Sequence, residues 1–260
     1  MNIVKRNAVN VIGKGSKTLV LAHGYGCSQK MWDEMSPLLQ EDYQILLFDH
    51  VGSGHSDVGS YDKTKYSTLR GYAEDLLEIV DFFKLEDVFF VGHSVSASIG
   101  LIASTINPTA FKKLILVSPS PCFINKHGYR GGFEASDIEA IIQGLNSNFN
   151  EWARTIAPVL TGMNDQQSGK LIESFCSTKP DIAKHFAMVT FTSDHRDILP
   201  LIKTEAHIIQ CSRDNLAPVY VGEYMAKNIQ KSVYHILDAG GHCPHLTHPS
   251  EVAKIIKTVI

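Results

Sequence analysis

The chain has 260 residues, 44% hydrophobic and 20% charged, enough for one large domain or a domain carrying an insertion. A formal net charge of −3, with no basic run longer than two residues, argues against nucleic acid or an acidic membrane surface as a main partner. No stretch approaches the roughly 20 apolar residues that cross a bilayer. Five cysteines form an odd set without CxxC spacing. With no secretory-type segment at the start, they fit reduced thiols, and the expectation is a soluble, cytoplasmic protein.

Val9 and Val11 alternate with polar neighbours and predict an edge strand that ends at Gly13-Lys14-Gly15. Short apolar runs follow at 19–22, 45–48, 88–91, 114–117, 208–211 and 233–237. Each is of strand length and nearly continuous, as in a parallel sheet covered on both faces. Helical spacing separates several of them. Leu69, Tyr72, Ala73, Leu76, Leu77, Val80 and Phe83 form one stripe, and Val252, Ile255, Ile256 and Val259 another after Pro249. The alternation predicts an α/β fold with an open, doubly wound, mostly parallel sheet. From 121 to 198 the rhythm breaks, leaving only helical stretches at 136–145, 150–157, 165–176 and 180–191. So long a helical insertion predicts a cap over the carboxyl ends of the strands, where open sheets bind ligands. The expected division is core 1–120, helical cap 121–198 and core 199–260.

At 88–100 a buried strand breaks at Gly92-His93-Ser94-Val95-Ser96 and resumes as a helix. A serine at the tip of such a turn is held in a strained conformation, its hydroxyl above the sheet, as a nucleophile requires. It can equally be a helix N-cap. Ser96 stands where the usual motif has glycine.

A serine nucleophile needs a base, an orienting acid and donors for the oxyanion. On an elbow of this kind the acid follows a late strand and the base follows the last. Asp214 lies just beyond the run 208–211, whereas the turn after 114–117, Ser118-Pro119-Ser120, has no carboxylate. The alternative for Asp214 is ordinary Asp-Asn turn chemistry. After the last strand, Gly240-Gly241 precede His242, the candidate base. His242, Cys243, His245 and His248 also crowd together like metal ligands. Their spacing matches no zinc template, however, and prolines interrupt the segment, so no metal is expected.

The oxyanion donors expected are the backbone N–H groups of Val95 and of Tyr25, in the His23–Gly26 loop after an early strand. His23 itself reads as a loop brace. Gly52-x-Gly54 is half a dinucleotide fingerprint with the third glycine missing, so it predicts a turn and no cofactor.

These residues resemble the α/β-hydrolase superfamily. More narrowly, they resemble its group containing the bacterial stress regulator RsbQ and the plant strigolactone and karrikin receptors. The stretches that carry the likeness are HGYGCSQKMW (23–32), LLFDHVGSGHSD (46–57), FVGHSVSASIG (90–100), SPSPCFIN (118–125), GGFE (131–134), FCSTKPDIA (175–183), SDHR (193–196) and GHCPHLTHP (241–249). SPSPCF, GGFE, SDHR and GHCPH favour the RsbQ side. By position, the resemblance implies Ser94, Asp214 and His242 as a catalytic triad, with Tyr25 and Val95 as oxyanion donors. Tyr25 departs from the family, where phenylalanine is common. A V of helices over a hydrophobic pocket is also implied, with Phe133, Trp152 and Phe186 as wall residues or as plain core. The activity implied is cofactor-free cleavage of a small hydrophobic ester or lactone, such as a butenolide. A signalling role in the stress response, alongside an RsbP-like phosphatase with a PAS domain, is the second implication. A housekeeping esterase, or a lyase or perhydrolase on the same fold, is the alternative. A dehalogenase would carry Asp where Ser94 stands.

Overall fold

The computed structural model describes residues 2–260. Seven strands among them form a single sheet: β1 (Asn10–Ile12), β2 (Lys17–Ala22), β3 (Tyr43–Leu47), β4 (Phe89–His93), β5 (Lys113–Val117), β6 (Glu205–Arg213) and β7 (Ser232–Gly240). Their order is β1-β3-β2-β4-β5-β6-β7. Within that sheet the β1–β3 pair is antiparallel and the other neighbours are parallel.

The helices of the described residues are α1 (Ile3–Arg6), α2 (Ser36–Leu39), α3 (Leu69–Phe82), α4 (Val95–Ile106), α5 (Ala135–Ser147), α6 (Phe149–Leu160), α7 (Asp165–Ser177), α8 (Pro180–Thr192), α9 (Val219–Asn228), α10 (Pro244–Thr247) and α11 (Pro249–Val259). The two faces of the sheet explain the unbroken apolar runs. Leu19 and Leu21 of β2 point to one side, against Leu39 of α2 and Val252 and Ile256 of α11. Val20 and Ala22 point to the other, into a larger core holding Leu76 of α3, Ile99 of α4 and Met225 of α9. With both faces covered, neither side chain of an i, i+1 pair meets water.

Two strands run further than their apolar runs. β6 continues through Ser212 and Arg213, and β7 through Asp238, Ala239 and Gly240. Exposed polar residues at the strand ends hid these extensions, because the period-2 signal comes from burial. As a result Asp214 and His242 stand one and two residues beyond their strands.

Four consecutive helices, α5 to α8, lie between β5 and β6. α6 keeps its helical course through Pro158, two residues short of its end. Ahead of α5, residues 122–133 form an irregular segment with two isolated bridges inside it, Ile124 to Phe133 and Lys126 to Tyr129, and a third from Cys122 to Asp194. The Tyr129 hydroxyl closes it by donating to the Cys122 carbonyl at 2.7 Å.

Candidate active site

The β4–α4 turn holds Ser94 at φ 55° and ψ −120°, left-handed backbone that a β-carbon makes costly. The turn is possible because Gly92 has no side chain: a Cβ there would stand 2.7 Å from the Ser96 carbonyl oxygen. The Ser94 backbone N–H is tied to the Val117 carbonyl at 2.9 Å. Its hydroxyl makes no capping bond to α4. It lies 2.8 Å from Nε2 of His242 instead. Geometry therefore separates the two readings of this serine, and the cap is not the one formed.

His242 Nδ1 is 2.8 Å from Asp214 Oδ2. A carboxylate only accepts, so Nδ1 carries the proton and Nε2 is left to accept from Ser94. Asp214 is fully buried, and its other oxygen accepts the N–H groups of Leu216 (2.8 Å) and Ala217 (3.0 Å). Gln210 donates to Asp214 Oδ2 at 3.3 Å and also bonds the Ala217 carbonyl. The carboxylate is thus fixed from three directions.

The backbone of His242 is clamped at both ends. Its N–H donates to the carbonyl of Leu160, the last residue of α6, at 2.6 Å. Its carbonyl accepts Nε2–H of His93 at 2.9 Å. Burial, followed by the neighbouring His245 and His242, holds His93 well below the usual imidazole range, so it stays neutral beside the base.

Among the described residues, the N–H groups of Tyr25 and Val95 have no hydrogen-bond acceptor. Val95 opens α4, whose first N–H groups lack intrahelical partners. Gly24 brings the Tyr25 loop against the elbow; a Cβ there would lie 2.5 Å from His93 Nδ1 and 3.4 Å from Ser94 Cβ. His23, fully buried, has Nδ1 2.9 Å from the Gly24 carbonyl, while its Nε2 accepts the His50 N–H at 3.1 Å. Ser96 explains its own departure from glycine. Its hydroxyl donates to the His23 carbonyl and lies 2.7 Å from His50 Nε2, joining elbow, β2 and β3.

A mostly apolar cavity opens over Ser94 and His242. From the core it is walled by Tyr25, Cys27, Leu216 and Cys243. The helical insertion contributes Ile141, Trp152, Ile156, Leu160, Leu171, Phe175, Thr190 and Phe191. The two cysteine thiols are no rival nucleophiles, since burial pushes Cys27 up to about 12 and Cys243 well above its usual value.

Trp152 lines the cavity, but the other two expected wall residues do not. Phe186 stacks on Tyr72 at 4.5 Å and meets Tyr25 edge-on at 5.7 Å, which makes it packing between α8, α3 and the Tyr25 loop. Phe133 precedes α5 and is pinned by main-chain bonds to Phe123 and Asn125. Most of the real lining escaped sequence reasoning, although a signal existed. Trp152, Ile156 and Leu160 recur every fourth residue, as do Leu171 and Phe175, so each helix presents one stripe to the cavity.

The remaining motifs disperse. Gly54 packs on the buried Asp49, whose carboxylate accepts the N–H groups of Gln29 (2.7 Å) and His55 (2.8 Å). An anion already fills that turn. His245 packs between the tilted rings of Trp32 (4.6 Å) and His93 (4.1 Å), and His248 pairs with Thr247. Among the described residues no three His, Cys, Asp or Glu converge as metal ligands. No helix among them is long and apolar enough to cross a membrane.

Comparison with known proteins agrees with this fold. The profile of the alpha/beta hydrolase family matches residues 19–255. The chain belongs to the α/β-hydrolase family. It is 37% identical to Karrikin insensitive 2 receptor CA of Petunia hybrida, over 98% of this chain and 96% of that one. With strigolactone esterase D14 of Arabidopsis thaliana it shares 34% identity, over 100% and 98%. Among solved structures, a hydrolase from Oleispira antarctica superposes with a TM-score of 0.97 at 42% identity, covering 99% of this chain and 96% of that one.

Proposed function

We propose that this α/β-hydrolase is a serine hydrolase that cleaves small, mostly apolar carboxylic esters or lactones without a cofactor. One observation carries the reading: the hydroxyl of Ser94, on a left-handed elbow, bonds His242 rather than its own helix, and does so at the floor of an apolar cavity. In the proposed cycle Ser94 Oγ attacks the carbonyl carbon and its proton passes to His242 Nε2. Asp214, bonded to Nδ1, stabilises the imidazolium. The N–H groups of Tyr25 and Val95 receive the oxyanion. As the tetrahedral intermediate collapses, His242 returns the proton to the leaving alkoxide. Water, activated by the same imidazole, then releases the acid and restores Ser94.

The decisive test is Ser94→Ala with phenyl acetate. The fold is expected to persist, and kcat to fall by a factor on the order of 10⁶. Near wild-type turnover would refute the assignment.

A second reading follows from the Petunia hybrida relatives named as receptors, which match nearly the full length of both chains. In it, slow hydrolysis serves to sense a butenolide-like ligand in the cytoplasm. An RsbQ-like stress-signalling protein of this kind would work with a PAS-domain phosphatase, engaged through the helical insertion as a cap. Intact-mass spectrometry after incubation with butenolides and simple esters separates the two. A persistent adduct on Ser94 or His242 favours sensing; rapid turnover without one favours a housekeeping esterase.

A further inference from the structure

Thr190 lies on α8, in the helical insertion, and is one of the residues that line the cavity. The residue is 2% exposed, and its hydroxyl has no hydrogen-bond partner among the described residues. Both facts are unusual together. A helical threonine ordinarily satisfies itself by donating to the carbonyl three or four residues back. Thr105, Thr155, Thr192 and Thr258 all do so, at 2.7 to 3.0 Å. Thr190 does not.

A buried hydroxyl without a partner costs free energy that a ligand oxygen can recover. Most of the other polar side-chain atoms of the cavity are committed. The Tyr25 hydroxyl donates to the Ala183 carbonyl at 3.0 Å. Ser94, His242 and His93 Nε2 are engaged with one another; His93 Nδ1 also has no hydrogen-bond partner among the described residues, but it faces Gly24, where even a Cβ would stand only 2.5 Å from it. The uncommitted hydroxyl therefore belongs to the apolar wall that the helical insertion contributes to the cavity over Ser94.

We propose that Thr190 is a specificity-determining residue whose hydroxyl bonds a second oxygen of the substrate, at the end remote from the carbonyl that Ser94 attacks. The substrate class narrows accordingly, from apolar esters and lactones to those bearing an oxygen function at both ends. The proposal rests on the hydrolase reading above.

The test compares phenyl 4-oxopentanoate with phenyl pentanoate, which differ only in the remote oxygen, in wild type, Thr190→Val and Thr190→Ser. Wild type is expected to favour the oxo ester in kcat/KM by about fivefold, the worth of one net hydrogen bond. The isosteric valine should bring the ratio close to one through loss on the oxo ester, and serine should restore it. No preference in wild type, or an unchanged ratio in Thr190→Val, overturns the proposal. If neither ester is hydrolysed, the hydrolase reading fails on its own, and binding then judges Thr190. Quenching of Trp152 fluorescence by 4-phenylbutan-2-one against butylbenzene should show the same ratio, lost in Thr190→Val; equal binding of the ketone to both forms refutes the role. Should the valine variant not fold, Thr190→Ala takes its place in the ketone titration: weaker ketone binding than wild type supports the role, and equal binding refutes it.

Discussion

The N–H of His242 donates to the carbonyl of Leu160 at 2.6 Å, so the histidine that faces Ser94 is held by the last residue of an insertion helix. The contact is main chain to main chain, and glycines on both sides permit it. A Cβ on Gly241 (φ +88°) would stand 2.6 Å from the Gly162 nitrogen, and one on Gly162 (φ +65°) would stand 2.7 Å from the Gly240 oxygen.

Gly241→Ala and Gly162→Ala should therefore both displace His242, from opposite sides of one contact. Misplacing a reacting group by about 1 Å can cost on the order of 100-fold in rate, and that is the loss expected in kcat/KM for phenyl acetate. Wild-type rates in both variants would show that the contact does not position the imidazole.

Asp214→Asn should retain the fold but present an amide donor to Nδ1, forcing the imidazole into the wrong tautomer. The expected fall in kcat is about 10⁴-fold, smaller than for Ser94→Ala. Steady-state kinetics of the two variants on one ester rank them.

Ser96→Gly restores the residue usual at this position of the elbow, and it should make the protein worse. It removes the partner of His50 Nε2 and the donor to the His23 carbonyl, both buried. An unsatisfied buried group costs about 1–3 kcal/mol, and glycine inside α4 adds about 1 kcal/mol. Urea denaturation should show a lower midpoint with an unchanged slope. A gain in stability would refute this role for the hydroxyl.

Stability should fall on mild acidification, in part through His245. Burial, then the nearby His242 and His23, push this imidazole down to about 3, and neither ring nitrogen has a hydrogen-bond partner among the described residues. The unfolded chain takes up this proton near pH 6.5, whereas the folded one refuses it until about 3. The full stability is thus present above pH 6.5 and is lost as pH falls toward 3, by about 2 kcal/mol at pH 5. His23, His50 and His93 are shifted in the same direction and steepen the loss. His245→Phe removes one contribution, so its Tm should drop less between pH 7 and pH 5 than that of wild type, by roughly 4–8 °C. Equal drops would mean that His245 is not neutral in the fold.

The sheet and the residues at its rim are legible in the local pattern of the chain. Runs buried on both faces mark the central strands without ambiguity, and Ser94 and Asp214 each follow one of them, whereas His242 follows the edge strand β7, whose Val233 and Ile236 are exposed. The absence of a strand-length apolar run over 121–198 also predicts consecutive helices there, and α5 to α8 stand between β5 and β6. What the local pattern left open were contacts between segments distant along the chain. Whether Ser94 caps its helix or meets His242 depends on a partner 148 residues away. Phe186 and Trp152 look alike in sequence, yet one packs against Tyr72 and the other faces the cavity, because helix rotation is set by tertiary packing. Thr190 is ordinary in sequence. Only the folded chain leaves its hydroxyl without a partner inside an apolar wall, where the wall, and not the residue type, makes it informative.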